Sequence, residues 1–190
     1  MTQRGTSPGN RRSGQSGLAW DSPHLASEQM LTLTSPDFDN EGTIPTVHAA
    51  TRAGGANLSP ALTWTPPPPD TAQLLLVIED PDAPTSTPFI HCVALIDASV
   101  TSLAHGTLDA RAPSGGVRLL RSSAGNGYLG PAPPKSHGPH RYVFQLFALA
   151  TPLTAGPGGG ALDSARPREV LAAARDVLAR GRLDGFYRRI

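Results

Sequence analysis

The stretch that decides the fold is GYLGPAPPKSHGPHRYVFQLFAL, residues 127–149, which begins as a loop and ends as a strand. Its last nine residues carry apolar side chains on both alternating faces, which predicts a strand buried on both sides. Gly130 and three prolines, Pro131, Pro133 and Pro134, stand in front of it. Glycine adopts backbone angles that a side chain would block, and proline fixes φ and removes an N–H donor. We therefore expect a rigid loop that directs its few remaining backbone N–H groups at an anion.

Other apolar runs predict further strands. LLLVIE at 74–79 and HCVALID at 91–97 are short apolar runs near breaker residues, which is typical of strands buried on both faces. An alternating stretch from Leu31 that ends at Pro36, and ALTW at 61–64, predict shorter strands.

Helical spacing of apolar residues predicts one helix near the C-terminus, from Pro167 to a stop at Gly181. Its apolar stripe consists of Val170, Leu171, Ala174, Val177 and Leu178. LDGFYRRI, which follows, predicts a last short strand. The fold class is therefore mostly β, with helical decoration.

The composition indicates one loop-rich domain. The chain has 190 residues with 20 glycines and 20 prolines, too many for a helical bundle. Residues 1–28 have too little apolar content to offset the entropy of ordering, so we expect a disordered N-terminal extension before a domain at 29–190. Arg4, Arg11 and Arg12 leave open a basic tether as the alternative.

Charge and cysteine content exclude several functions. The net charge of +1 gives no field that would attract nucleic acid, and no apolar run is long enough to cross a bilayer. The N-terminus lacks the apolar segment of a secretory signal, and the single cysteine, Cys92, forbids an internal disulfide. These features predict a cytoplasmic protein.

Ionisable side chains stand at the ends of three predicted strands. Asp80 and Asp82 follow the first apolar run, His91 opens the second, and His140 opens the third. If the strand ends meet, these four side chains form one cluster, in which the two acids orient a histidine. Two alternatives remain open: an Asx-type turn for the two acids and a polar cap for a histidine at a strand edge.

The loop and the strand that follows it together predict a small anion pocket. The loop stiffened by Pro131, Pro133 and Pro134 after Gly130 would direct its few remaining N–H groups at an anion, and His140 and Tyr142 would supply side-chain donors. Such a pocket suits phosphate or carboxylate.

Other chemistries fit the sequence less well. His91, His140, Asp80 and Asp82 are possible zinc ligands by type, but their spacing matches no metalloprotease motif, so we expect no metal and no cofactor. Cys92 should face away from a pocket that holds His91, because neighbours on a strand point to opposite faces.

These residues together resemble the phosphatidylethanolamine-binding protein (PEBP) family, also called the Raf kinase inhibitor-like family, and in particular its bacterial branch. The resemblance rests on DPDAP at 80–84, on GPAPP and HRYVFQLFAL within 130–149, on NLSPALTW at 57–64 and on SPDF with IP at 35–45. Departures from the family pattern are Cys92 after the pocket histidine, Arg52 with its neighbours in AATRAGGANLSP, and Ala132 in the loop.

The resemblance implies a β-sandwich-like core with a small pocket at one end and a C-terminal helix. Carried over by position, it implies that the pocket is formed by Asp80, Asp82, His91, Gly130, Pro131, Ala132, Pro133, His140 and Tyr142. It also implies a non-catalytic protein that binds a phosphate-like anion or a phospholipid head group, that regulates protein partners such as kinases, and that forms a homodimer.

The predicted pocket is compatible with two mechanisms, one of a binding protein and one of an enzyme. In the binding protein, Asp80 and Asp82 orient His91 and stabilise its protonated form, which holds the anion together with the loop N–H groups. The alternative is an acid–base cyclase or isomerase that uses Asp80, Asp82, His91 and His140 on a small substrate.

Overall fold

The computed structural model describes residues 17–112 and 114–190. The described part contains eleven strands and one α-helix. The strands are β1 (Met30–Leu31), β2 (Leu33–Thr34), β3 (Gly42–Thr43), β4 (Leu62–Trp64), β5 (Gln73–Asp80), β6 (Phe89–Asp97), β7 (Ser102–Leu103), β8 (Val117–Ser122), β9 (Gly125–Asn126), β10 (His140–Leu149) and β11 (Val177–Tyr187). The helix is α1 (Pro167–Ala173). Short 3₁₀ turns lie at Ala19–Asp21, Pro23–Leu25, Thr46–His48, Thr51–Ala53, Lys135–His137, Pro157–Gly159 and Leu162–Ser164.

The strands form two sheets. The large sheet has the order β1-β11-β10-β5-β6-β8-β9, and β3 also pairs with β11. The small sheet has the order β2-β4-β7. β1 and β3 run parallel to β11, and the other strand pairs are antiparallel. The mostly-β fold class predicted from the sequence is confirmed.

Alternating side chains of the central strands divide the core into two layers. On β5, Leu74, Leu76 and Ile78 pack with residues of the small sheet, such as Leu62 and Trp64. Leu75 and Val77 face the other layer, which holds apolar residues of α1 and of the N-terminal segment. Because both faces are covered, these strands need continuous apolar runs, which is how the sequence reads.

The predicted C-terminal helix is too long. α1 ends at Ala173, Asp176 adopts a left-handed φ of 56°, and the chain enters β11 at Val177. Gly181 is not a stop signal but the middle of this strand, where it pairs with Leu146. Val177 fits the predicted helical stripe and also an alternating strand with Ala179 and Leu183, and pairing with β10 along almost the whole of β11 decides for the strand.

The first predicted strand is split. Leu31 pairs with β11 in the large sheet, whereas Leu33 pairs with Trp64 in the small sheet. Thr32 lies between the two and bonds to Thr65, so the alternating stretch crosses from one sheet to the other. β8 is a further strand that the sequence analysis does not predict.

Residues 17–28, which the sequence analysis assigns to the N-terminal extension, are folded onto the large sheet. Glu79 Oε2 is buried and accepts the Ala19 N–H at 2.7 Å, and Gln145 Oε1 accepts the Trp20 N–H at 2.7 Å. Arg168 Nη1 lies 2.7 Å from Glu79 Oε1. This network and the buried side chain of Leu25 hold the segment in place. The basic residues at 4, 11 and 12 lie outside the described residues.

None of the helices in the described ranges combines the length and the apolar character needed to cross a membrane.

We expect Gly185→Ala to destabilise the fold by about 1–3 kcal/mol, the usual cost of overpacking a core. A Cβ at Gly185 on β11 would lie 2.6 Å from Ile44 Cγ1 and 2.8 Å from Phe38 Cε2, and both side chains are buried. Gly115→Ala is the matched control, because nothing lies within 4 Å of its added Cβ. Urea unfolding measures both variants, and equal stabilities would contradict this packing.

Candidate functional site

Strand pairing brings three of the predicted site residues to one edge of the large sheet. β5 ends at Asp80, which is paired with Phe89 at the start of β6. β10 begins at His140 and runs antiparallel to β5. The end of β5 therefore lies between the starts of its two neighbours, which carry His91 and His140.

Asp80 and His140 form a buried hydrogen-bonded pair. Asp80 Oδ2 lies 2.8 Å from His140 Nδ1, and the side chains are 6% and 1% exposed. The other oxygen, Asp80 Oδ1, accepts the backbone N–H of Asp82 at 2.8 Å. The Asx-type turn that the sequence leaves open is therefore present, and the same carboxylate also orients a histidine. That histidine is His140, not His91 as the sequence analysis expects.

His91 occupies a β-bulge. Ile78 pairs with Cys92 and Glu79 pairs with Ile90, so His91 is the extra residue of β6. A bulge turns a side chain away from the regular alternation and is common beside binding sites. The ring of His91 packs edge-on against Tyr142, with ring centroids 5.1 Å apart. The bulge also invalidates the alternation argument for Cys92, which is buried in the same core layer as Tyr142.

The backbone of Leu129 fixes the orientation of the His91 ring. His91 Nδ1 lies 2.7 Å from the Leu129 carbonyl, so Nδ1 carries the proton and donates. Burial lowers the pKa of His91 below its ordinary value, and Asp80 and the Leu129 carbonyl oppose this shift only in part. The ligand-free site therefore favours neutral His91, contrary to the protonated form that the sequence analysis expects.

Tyr142 contributes a buried phenol. Its hydroxyl has no hydrogen-bond partner among the residues described, although the backbone of Ala132 lies nearby. Burial, followed by the charge of Asp80, raises the pKa of Tyr142 above its ordinary value. The hydroxyl is therefore protonated and can donate to a ligand.

Cys92 is a packed core thiol. It is fully buried, and burial raises its pKa to about 12. It is not among the residues found to line the cavity.

A cavity of about 260 Å³ joins these groups. Its lining within the described chain consists of Arg52, Asp80, Ala83, Pro84, Thr85, Phe89, His91, Ala132, Pro133, Pro134, His140 and Tyr142. Most of the wall is apolar, and a few polar groups converge on it, as is usual for small-molecule sites.

Three of the predicted site residues do not line this cavity. The carboxylate of Asp82 accepts the Arg141 N–H at 2.8 Å and lines a neighbouring cleft. Pro131 directs its carbonyl to the Ala50 N–H. Gly130 donates its N–H to Asn57 Oδ1 at 2.8 Å. Gly130 and Pro131 therefore attach the loop to the segment around residues 46–57.

The structure also explains why residue 130 is a glycine. A Cβ there would lie 2.2 Å from the His48 carbonyl oxygen and 2.6 Å from the Ala50 nitrogen, both backbone atoms. The Gly130 N–H is occupied by Asn57, and three of the next four residues are prolines without an N–H. Within residues 130–134, Ala132 is the one residue whose N–H is left for a ligand. The loop therefore contributes to the cavity mainly through the shape of its wall and less through hydrogen-bond donors.

Arg52 and Asn57 belong to the site but are not predicted as site residues from the sequence, and the same holds for five other lining residues: Ala83, Pro84, Thr85, Phe89 and Pro134. Arg52 lines the cavity and has no ion-pair or hydrogen-bond partner among the described residues; the sequence analysis names it only as a departure from the family. Asn57 clips the loop, because its side chain accepts the Gly130 N–H and donates to the Tyr128 carbonyl. Its place in the NLSP motif is the signal that could have identified it.

Comparison with known proteins assigns the family. The family profile described as Phosphatidylethanolamine-binding protein matches residues 34–188. The chain belongs to the phosphatidylethanolamine-binding protein family. The crystal structure of YbcL from Escherichia coli, titled a new member of the mammalian PEBP family, superimposes with a TM-score of 0.70 at 28% identity, over 83% of this chain and 98% of that chain.

Two further relatives show the range of the family. A UPF0098 protein of the archaeon Methanothermobacter thermautotrophicus is 37% identical over 162 residues, 84% of this chain and 99% of its own. A Mycobacterium tuberculosis protein named lipoprotein LppC is 34% identical over 160 residues, 83% of this chain and 72% of its own. Because the relatives span archaea and bacteria and include a named lipoprotein, the bacterial branch and the cytoplasmic location stay predictions.

We expect the pKa of His91 in the ligand-free protein to lie below 6.5, the ordinary histidine value. Between the lowered and the ordinary pKa the unfolded state binds more protons, so the free energy of unfolding falls as the pH drops below about 6.5. NMR titration of the ring measures the pKa. His91→Gln should flatten the decrease in stability, and a measured pKa at or above 6.5 would refute the assignment.

Proposed function

We propose that this PEBP-family protein is a non-catalytic binding protein whose cavity holds one phosphate-like anion. The observation that carries the proposal is the convergence of polar groups without internal partners on one cavity. Tyr142 Oη and His140 Nε2 are buried with no hydrogen-bond partner in the described chain. Buried polar atoms in native proteins are nearly always bonded, so a polar ligand is their expected partner.

Arg52 gives the cavity its preference for negative charge. Arg52 is exposed and lines the cavity, and it is not used in an ion pair within the described ranges. Asp80 carries the opposing negative charge, but both its oxygens are already bonded, to His140 and to the Asp82 N–H. An anion that binds Arg52 therefore does not compete with the Asp80 carboxylate for this guanidinium.

The two histidines couple anion binding to proton binding. In each ring Nδ1 faces an internal acceptor, the Leu129 carbonyl for His91 and the Asp80 carboxylate for His140. Neutral rings therefore have a lone pair on Nε2, which repels an anion unless the ring or the ligand supplies a proton. A phosphate monoester can bring its own hydroxyl proton, whereas sulfate must bind together with protonation of a ring. The affinity for a fully ionised anion should fall as the pH rises.

The cavity size limits the ligand. A volume of about 260 Å³ lies just below the range of about 300–1,000 Å³ that ligand pockets occupy. A phosphate with a short organic group, such as a phospholipid head group, fits this space, and the apolar wall formed by Phe89 and the prolines suits its carbon atoms.

We expect Arg52→Ala to weaken binding of inorganic phosphate and of O-phosphoethanolamine about tenfold, because a hydrogen bond to a charged group contributes about 1.5 kcal/mol. Isothermal titration calorimetry measures both ligands, and tighter binding of the second would favour a head group over free phosphate. Arg118→Ala is the matched control, because Arg118 is exposed, pairs with Asp163 and does not line the cavity. Unchanged affinity in Arg52→Ala, or no binding of either ligand, would contradict the proposal.

A second function is favoured by one observation, the Asp80–His140 pair. A carboxylate that orients a histidine at Nδ1 and leaves Nε2 without a partner is an arrangement used in general acid–base catalysis. The enzyme alternative, a cyclase or isomerase, therefore rests on His140 with Asp80, while Asp82 lies outside the cavity.

A product screen by mass spectrometry with small candidate substrates separates the two functions. Turnover that is lost in Asp80→Asn but kept in Asp82→Asn would support the enzyme. Equal product levels with and without the wild-type protein support a binding role.

Regulation of protein partners such as kinases, the homodimer and the cytoplasmic location belong to this proposal as predictions. They depend on the surface of the protein and not on the cavity.

A further inference from the structure

We propose that Asp37, His48 and His105 form a zinc-binding site at the end of the small sheet, separate from the anion cavity. Each of the three residues offers one ligand atom, and these atoms lie within 4.8 Å of one another. Two imidazoles and a carboxylate are a donor set that Zn²⁺ accepts, with water completing the tetrahedron. The proposal uses none of the cavity residues and does not depend on the proposed function.

The distances are close to those that zinc requires. Zinc bonds of about 2.0–2.1 Å place ligand atoms about 3.3 Å apart in a tetrahedron. His48 Nε2 lies 3.6 Å from Asp37 Oδ2, and His105 Nε2 lies 2.9 Å from the same oxygen. The second distance must lengthen by a few tenths of an ångström, and the side chain of His105, which is 50% exposed, is free to move by that amount.

The buried ligand, His48, is already oriented for a metal. Its Nδ1 donates to the Leu58 carbonyl at 2.8 Å, which fixes the tautomer and directs the lone pair of Nε2 towards Asp37. The side chain is 2% exposed, and Asp37 Oδ2 lies 3.6 Å from Nε2, beyond hydrogen-bond distance. A buried imidazole whose Nε2 lies beside a carboxylate oxygen and a ring nitrogen of His105 is placed to share a metal ion with them.

Asp37 is held in position as well. Its Oδ2 accepts the Ala61 N–H at 2.9 Å, so the carboxylate faces the two histidines without moving. Hydrogen bonds from neighbouring groups to the metal ligands, such as this one, hold the ligands in their orientation. The three ligands are far apart in the sequence, which is why no spacing motif shows them.

The site would join three loops. Asp37 follows β2, His48 ends the turn Thr46–His48, and His105 follows β7. The His48 carbonyl accepts the Tyr128 hydroxyl at 3.0 Å, so the bound metal would also stiffen the segment that supports the cavity loop. We therefore expect bound zinc to stabilise these loops against unfolding.

The test is calorimetric titration of the metal-free 190-residue chain with Zn²⁺, with Co²⁺ as a spectroscopic probe. We expect one equivalent of zinc, a visible spectrum of tetrahedral Co²⁺, and a melting temperature that rises with zinc concentration. His105→Ala and Asp37→Asn should each weaken zinc binding at least tenfold. His105 is half-exposed, so its variant should fold, and circular dichroism verifies this.

Two controls make the result decisive. His24→Ala removes another exposed histidine and should leave zinc binding unchanged. His91→Ala should also leave it unchanged, because His91 lines the anion cavity. The proposal is overturned if zinc does not bind, if His105→Ala binds as tightly as the wild type, or if binding is lost in His91→Ala.

Discussion

The antiparallel register of β5, β6 and β10 is the constraint on which the site depends. Antiparallel pairing places the end of one strand beside the start of its neighbour, so Asp80 meets the starts of two strands at once. His91 and His140 lie within two residues of those starts, and their side chains converge on one cavity. The apolar residues behind them fix the register, because a slip by one residue would exchange the two core layers.

The chemistry of the cavity follows from burial. The single carboxylate of Asp80 is fully used, by His140 and by the backbone of the turn that follows β5. Within residues 17–112 and 114–190, the His91 ring bonds through Nδ1 to the Leu129 carbonyl, and burial drives it towards its neutral form. The cavity therefore carries little net charge of its own. Arg52 at its rim and the protons taken up on binding determine which ligands bind. The same groups would also serve an acid–base enzyme. Whether the cavity binds or catalyses depends on the chemistry of the molecule that enters it.

The sequence predicts the strands well and their connections less well. β5, β6 and β10 are short apolar runs between breaker residues, a pattern that favours strands over helices. The family resemblance indicates which ends of these strands form the cavity. The helix is predicted too long because the apolar residues after Ala174 fit both periods, and only pairing with β10 selects the strand. No local pattern encodes the bulge at His91 or the bond between its ring and the Leu129 carbonyl. Arg52 and the Asp37 cluster depend on loop packing between distant segments.

The most direct measurement is a crystal structure of the protein soaked in selenate at acidic pH, where ring protonation favours binding of a fully ionised anion, with anomalous data collected at the selenium edge. The account predicts a selenium peak inside the cavity, within hydrogen-bond distance of Tyr142 Oη and close to Arg52 and His91. Anomalous peaks confined to surface arginines, with the cavity free of selenium, would contradict it.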